Sequence, residues 1–338
     1  MKKLQRRLLV CVLILIFILS QTACAGKVPV SQTDFLLNTV CTITLYEGGD
    51  EGLIKETFAL CREYENRLSR TIEESDIGKI NAAGGQSVEV DATTAEVIKK
   101  GIEYGTISHG LFDITLGKLA ELWNFSGENP SVPDAKEIDA ALPHIGYQQI
   151  HINSNKETIE VFLDDPQAKL DLGGIAKGYI ADKAGEFLKE NGVSKAVINL
   201  GGNVVCIGEK EKYVPWSIGI EKPFGENNNG EKELLGTVEM KDKSIVTSGT
   251  YERKFIENGT LFYHILDPKT GYPMETDLDG VSIIGDKSTD CDGLSTTCLM
   301  LGFEQGKALI DSMPEYEAIF VKKDGTIVTT DGVVLREE

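Results

Sequence analysis

From Ala168 onward the chain is a succession of short β-rich runs separated by turns. They fall at Lys195–Leu200, Val204–Gly208, Trp216–Glu221, Leu234–Met240, Leu261–Leu266 and Val281–Gly285, with a few helical stretches between them. A doubly wound sheet needs strand and helix to alternate throughout, so this mixture predicts an α+β fold instead. Upstream, Asp34 to Tyr46 alternates as a first strand. After it, Leu53, Ile54, Phe58, Cys61, Tyr64 and Leu68 recur at helical spacing. There is no internal repeat and no long linker, and only Glu226 to Glu233 reads as a solvated loop.

At the N-terminus Lys2, Lys3, Arg6 and Arg7 precede an uncharged apolar run from Leu8 to Leu19, the layout of a signal peptide. The run is shorter than the roughly 20 residues a spanning helix needs. No later segment comes close, so the mature protein is not expected to cross the bilayer. The stretch Leu19-Ser20-Gln21-Thr22-Ala23-Cys24 resembles a bacterial lipobox that would lipidate Cys24. Gln21 stands where an aliphatic residue is usual, so free secretion is the alternative. The expected organisation is a signal at residues 1–23, a tether at 24–32 and one functional domain at 33–338.

With 41% hydrophobic and 26% charged residues, the chain has the composition of an ordinary globular protein. Its formal net charge of −19 argues against nucleic-acid binding, because no basic stripe is available to neutralise phosphates. An anionic ligand would have to be held locally, by backbone N–H groups, single cations or a metal. Of the seven cysteines, Cys41, Cys61, Cys206, Cys291 and Cys298 remain once Cys11 in the signal and Cys24 are set aside. They show no metal-finger spacing and read as small buried hydrophobes.

Three segments carry possible chemistry. Asp171-Leu172-Gly173-Gly174-Ile175-Ala176-Lys177-Gly178-Tyr179 runs from a strand end through paired glycines into a helix pattern, which could present free N–H groups to a phosphate. Tyr179 stands where a P-loop requires Lys, and a tight turn with no ligand reads the same way. In Ser288-Thr289-Asp290-Cys291-Asp292-Gly293-Leu294-Ser295-Thr296-Thr297 a polar cap starts a helix, and Asp292 and Thr296 share one helix face. That pair could hold magnesium, which accepts one or two protein oxygens and takes the rest from phosphate and water. Plain helix capping is the competing reading. Third, His264 enters the turn Asp267-Pro268-Lys269-Thr270-Gly271 and is placed to act as a base, with a purely structural histidine as the competing reading. His109, His144 and His151 have no such setting.

These segments, taken in order with others, resemble the FAD:protein FMN transferase (ApbE) family. The matching words are S-D-I-x-x-I-N at Ser75 to Asn81, H-G-L-F-D-I-T-x-G at His109 to Gly117 and L-W-N-F at Leu122 to Phe125. They continue with D-L-G-G-I-A-K-G-Y, N-L-G-G-N at Asn199 to Asn203, T-S-G-T-Y-E-R at Thr247 to Arg253, H-I-L-D-P-K-T-G and the D-G-L-S-T-T helix. The resemblance covers essentially all of the mature chain. It implies a bilobed α+β unit with mixed or antiparallel sheets, FAD between the lobes and Mg2+ beside its pyrophosphate.

By family position the metal would be held by Asp292 and Thr296, with Ser295 and the carbonyl of Gly174, leaving Asp290 as a neighbour. Leu111, Phe112 and Asp113 match a flavin-contacting stretch, with Leu111 in place of Ala. Asp171 and Lys177 match nucleotide contacts, Leu266 lies on the strand that meets the dinucleotide, and Leu37 replaces Met in an M-G-T stretch. The implied chemistry is transfer of FMN to a Thr or Ser hydroxyl of an exported or membrane-bound flavoprotein, releasing AMP, with His264 as base. A magnesium-dependent FAD pyrophosphatase and a non-catalytic FAD-binding lipoprotein would use the same site.

Overall fold

The computed structural model describes residues 28–155, 157–227 and 229–336; the signal segment and Cys24 lie outside them. The fold begins with a hairpin of β1 (Val30–Leu36) and β2 (Thr39–Glu47), then α1 (Glu51–Leu68), α2 (Asp76–Ala82), the short β3 (Val88–Glu89) and α3 (Ala92–Ile107). Next come α4 (Gly117–Trp123), α5 (Ala135–Ala141), β4 (Ile150–Ser154), β5 (Ile159–Leu163) and α6 (Ala176–Glu190). Strands β6 (Lys195–Leu200), β7 (Asn203–Ile207), β8 (Trp216–Glu226), β9 (Lys232–Met240), β10 (Ser244–Gly249), β11 (Lys254–Glu257), β12 (Thr260–Tyr263) and β13 (Leu278–Gly285) follow. The chain closes with α7 (Ser288–Leu301), α8 (Phe303–Asp311), β14 (Glu317–Lys322) and β15 (Ile327–Thr329).

The expected α+β class is met. An antiparallel sheet of order β1-β2-β6-β7-β10-β13-β14-β15 forms the body. The expected first strand, 34 to 46, is instead a hairpin. Leu37 and Asn38 both take left-handed φ, 55° and 57°, as a two-residue hairpin turn requires. Asn is at home there, but Leu is a poor turn former, so the sequence conceals the reversal.

Packing follows from which side of the sheet each apolar set faces. Helices α1, α6 and α7 bury Ile54, Ile180 and Leu294 with Ile43 and Ile198 of the strands in the main core. The β8–β9 hairpin forms a second cluster, setting Trp216, Val238 and Met240 with Ile245 and Ile319 of the sheet. A third cluster gathers Leu119, Trp123 and Ile138 against Leu266, with Phe255 and Phe262 of β11 and β12 beside them. Trp123 is completely buried and its indole N–H donates to the Gly271 carbonyl at 2.7 Å. Burial of a side chain this large contributes about 2–3 kcal/mol. It pins the turn after His264 to the α4 helix across a long stretch of sequence. The five described cysteines outside the signal are unpaired and buried, as expected.

Candidate active site

A cleft of about 940 Å³ opens where the main core meets the Trp123 cluster. Into its wall come the β1–β2 turn, the Phe112–Ile114 segment, the Asp171–Lys177 segment, the end of β10, the Glu252–Arg253 pair, His264 to Leu266, and Asp292 with Thr296. Residues scattered over more than two hundred positions thus converge, and the three sequence segments singled out above all reach it.

The glycine segment is built for close packing. A Cβ on Gly174 would press on the Phe112 ring at 3.1 Å, and one on Gly178 would collide with the Ser288 carbonyl and lie 2.8 Å from the Asp292 Cβ. Gly178 therefore lets α6 lie directly on α7. In the first turn of α6 the Ala176 N–H donates to the Leu172 carbonyl at 2.8 Å and the Gly178 N–H to Asp292, so of the first three N–H groups it is that of Lys177, on the cleft wall, that can meet a ligand. Asp171 accepts the Gly173 N–H at 2.8 Å and pairs with Arg70 at 2.7 Å, so this carboxylate shapes the turn and fixes a cation at the cleft wall.

Asp292 is 3% exposed, and its Oδ2 accepts the Gly178 N–H at 2.8 Å. Burial raises its pKa, while Lys177, the Gly178 N–H and the Asn203 amide pull it back. Beside it, Ser248 bridges the hydroxyls of Ser295 (2.8 Å) and Thr296 (3.0 Å). Ser295 also donates to the Asp292 carbonyl at 3.0 Å and is fully buried. Thr296 reaches the cleft wall and Ser295 does not, so Ser295 supports the site from beneath. Asp290, the neighbour, is turned away to Lys100 and the Tyr104 hydroxyl, each at 3.0 Å.

His264 follows β12, and its N–H donates to the Arg253 carbonyl at 3.0 Å. Its Nδ1 is buried with no hydrogen-bond partner among the described residues. Burial first, then the positive charges of Arg253 and Lys177, lowers its pKa from 6.5 to about 3, so the ring is neutral at physiological pH. Glu252 lines the same wall with its residue exposed at the cleft. Lys177, Arg253 and Arg70 give an acidic chain the local cations that an anionic ligand needs.

The remaining expected residues separate. Leu37, Phe112 and Leu266 line the cleft, Phe112 as a buried member of the main core, whereas Leu111 packs against that core without reaching the cleft. Asp113 borders the cleft, but its carboxylate is occupied by Thr115, through the backbone N–H (2.8 Å) and the hydroxyl (2.6 Å), and by the Tyr147 N–H (2.9 Å). It holds a loop in shape. The sequence reading missed Ser248, Asn203, Arg253 and Glu252 as site residues. All four stood inside quoted words, T-S-G-T-Y-E-R and N-L-G-G-N, yet nothing in those words tells which side chain turns toward the cleft.

The donor set suits a hard cation. Asp292 supplies one carboxylate, Thr296 a hydroxyl, and Gly174 a backbone carbonyl on the wall of the same cleft. Among the described residues no group of three or more His, Cys, Asp or Glu side chains could hold a metal, which disfavours an all-protein cage. One carboxylate with neutral oxygens beside an open cleft is the pattern in which magnesium completes its octahedron with phosphate and water.

Comparison with known proteins assigns the family. The ApbE family model matches residues 37–320. An FAD:protein FMN transferase of Klebsiella pneumoniae is 37% identical over 307 residues, covering 90% of this chain and 93% of that protein. One of Treponema pallidum is 33% identical over 333 residues, covering 93% and 91%. The crystal structure of the ApbE protein from Thermotoga maritima superposes with a TM-score of 0.80 at 31% identity, covering 90% of this chain and 97% of that one. The flavin transferase ApbE from Vibrio cholerae does so at 0.77 and 25%, with the same coverage. With the family model spanning most of its length and relatives this similar across nearly all of it, the chain belongs to the ApbE family.

Proposed function

We propose that this protein is an FAD:protein FMN transferase. The acceptor is a Thr or Ser hydroxyl on an exported or membrane-bound flavoprotein. That hydroxyl attacks the FMN-side phosphorus of FAD, the bond to the AMP oxygen breaks, and a phosphoester between FMN and the acceptor remains. The observation that carries the reading is the meeting, in one cleft, of a neutral His264 with Lys177, Arg253 and the Asp292–Thr296 pair.

The backbone N–H and the ammonium of Lys177, at the start of α6, receive the pyrophosphate, and the wall formed by Phe112 and Leu266 takes the apolar parts of the dinucleotide. His264, with its proton on the buried Nδ1, presents the Nε2 lone pair and takes the acceptor proton there as the P–O bond forms. Asp292, Thr296 and the Gly174 carbonyl would hold Mg2+, which when bound supplies charge stabilisation to the phosphates and fixes them for in-line displacement. The site faces the extracytoplasmic side, tethered through a lipid on Cys24.

The test is mass spectrometry of a purified acceptor domain incubated with the protein, FAD and Mg2+, beside reactions with EDTA or the His264→Ala variant. Gain of one FMN residue that requires Mg2+ and is lost in the variant is the expected result. Release of AMP with no adduct would replace the reading with an FAD pyrophosphatase, and neither product with a flavin binder.

A further inference from the structure

Asn203 opens β7 directly after the turn through Gly201 and Gly202, both in left-handed conformations at φ 63° and 96°. It is wholly buried, and its backbone is locked between Leu200 of β6 and Val246 of β10. Its side chain has little freedom. The amide oxygen accepts the Lys177 ammonium at 3.0 Å. The amide nitrogen is buried with no hydrogen-bond partner among the described residues, while Gly178, next to Lys177 in the chain, donates to Asp292 at 2.8 Å and so brings that carboxylate to the same corner of the site. An amide offers an acceptor to a cation and a donor to an anion at once, on two different atoms about 2.3 Å apart. Leaving a buried donor without a partner is unfavourable, so this orientation calls for a role.

We propose that Asn203 is a positioning residue that couples the two halves of the site, holding Lys177 toward the substrate phosphates with its oxygen and Asp292 toward the metal with its nitrogen. The inference rests on the flavin-transferase reading above. It differs from simple helix packing because it links two groups of opposite charge on different helices through a strand residue. Partners that orient a metal ligand in this way are typically worth about 10–100-fold in affinity or activity.

The experiment is a double-mutant cycle of Lys177→Met and Asn203→Leu, read by quenching of FAD fluorescence in EDTA, together with calorimetric titration of Mg2+ into ligand-free protein. Asn203→Leu is expected to weaken FAD binding about tenfold. Combining it with Lys177→Met should add little further, because the first change acts through the second residue. Mg2+ affinity should also fall about tenfold in Asn203→Leu. Additive effects on FAD, or unchanged Mg2+ affinity, would overturn the proposal.

Should Asn203→Leu fail to fold, Asn203→Asp keeps the acceptor for Lys177 and sets a second negative charge facing Asp292. Mg2+ should then raise its thermal midpoint by more than it raises that of the wild type. An equal shift would count against the proposal. Wild-type protein that binds no FAD would remove the flavin reading and this inference with it, whereas wild-type binding with an additive cycle would remove the inference alone.

Discussion

The Gly178 backbone N–H donates to the Asp292 carboxylate across 2.8 Å, so the first turn of α6 orients the buried carboxylate that α7 contributes to the cleft. Two helices that line the cleft are thereby registered on one another. The contact is possible only because position 178 carries no Cβ.

Gly178→Ala is expected to push α6 off α7. Overpacking of this kind costs about 1–3 kcal/mol, to be read by urea denaturation, and the Mg2+-induced rise in thermal midpoint should shrink with it. An unchanged midpoint and Mg2+ response would show that the contact is dispensable.

His264→Gln should lower the transfer rate by about 10²–10⁴, the range for a general base. It also makes a prediction that needs no substrate. The folded state keeps His264 neutral down to about 3, while in the unfolded chain it takes up a proton below 6.5. Between those values the unfolded state binds more protons, so stability falls as the pH falls through that window. Urea unfolding at several pH values should show a shallower loss in the Gln variant; identical slopes would contradict the buried neutral ring.

Asp290 and Asp292, two residues apart, should behave oppositely. Asp290→Asn weakens the contacts to Lys100 and Tyr104 and is expected to cost about 1–2 kcal/mol of stability while leaving the Mg2+ response intact. Asp292→Asn should remove that response. Calorimetric titration of Mg2+ into both variants decides it, and loss of binding in Asp290→Asn would reverse the assignment.

Asp182 of α6 accepts the N–H groups of Ser288 (2.8 Å) and Thr289 (2.9 Å) and the Thr289 hydroxyl (2.6 Å), capping α7 from a neighbouring helix. Asp182→Ala should cost about 2 kcal/mol, at the upper end for a cap. Hydrogen exchange should quicken first in the opening turn of α7, and global quickening with no local lead would argue for a diffuse effect.

Local pattern was enough for much of this protein. The period of Leu53 to Leu68 predicted α1 and the β-rich runs predicted the strands, because each depends on neighbours a few residues away; the polar run at Ser288 predicted the start of α7, although the residue that caps it is Asp182 of α6. The segments around Gly174, His264 and Asp292 likewise pointed to one site. Three-dimensional packing decided the rest. Leu37 reverses the chain with Asn38 in a turn that a Leu does not announce, and Leu111 packs against the core away from the cleft that the buried Phe112 beside it lines. Asp290 and Asp292 are equivalent as sequence. Lys100 and Tyr104, about 190 residues away in the chain, claim one, and Gly178 claims the other. Which carboxylate is free to meet a cation is set by partners that only the folded chain brings within hydrogen-bond reach.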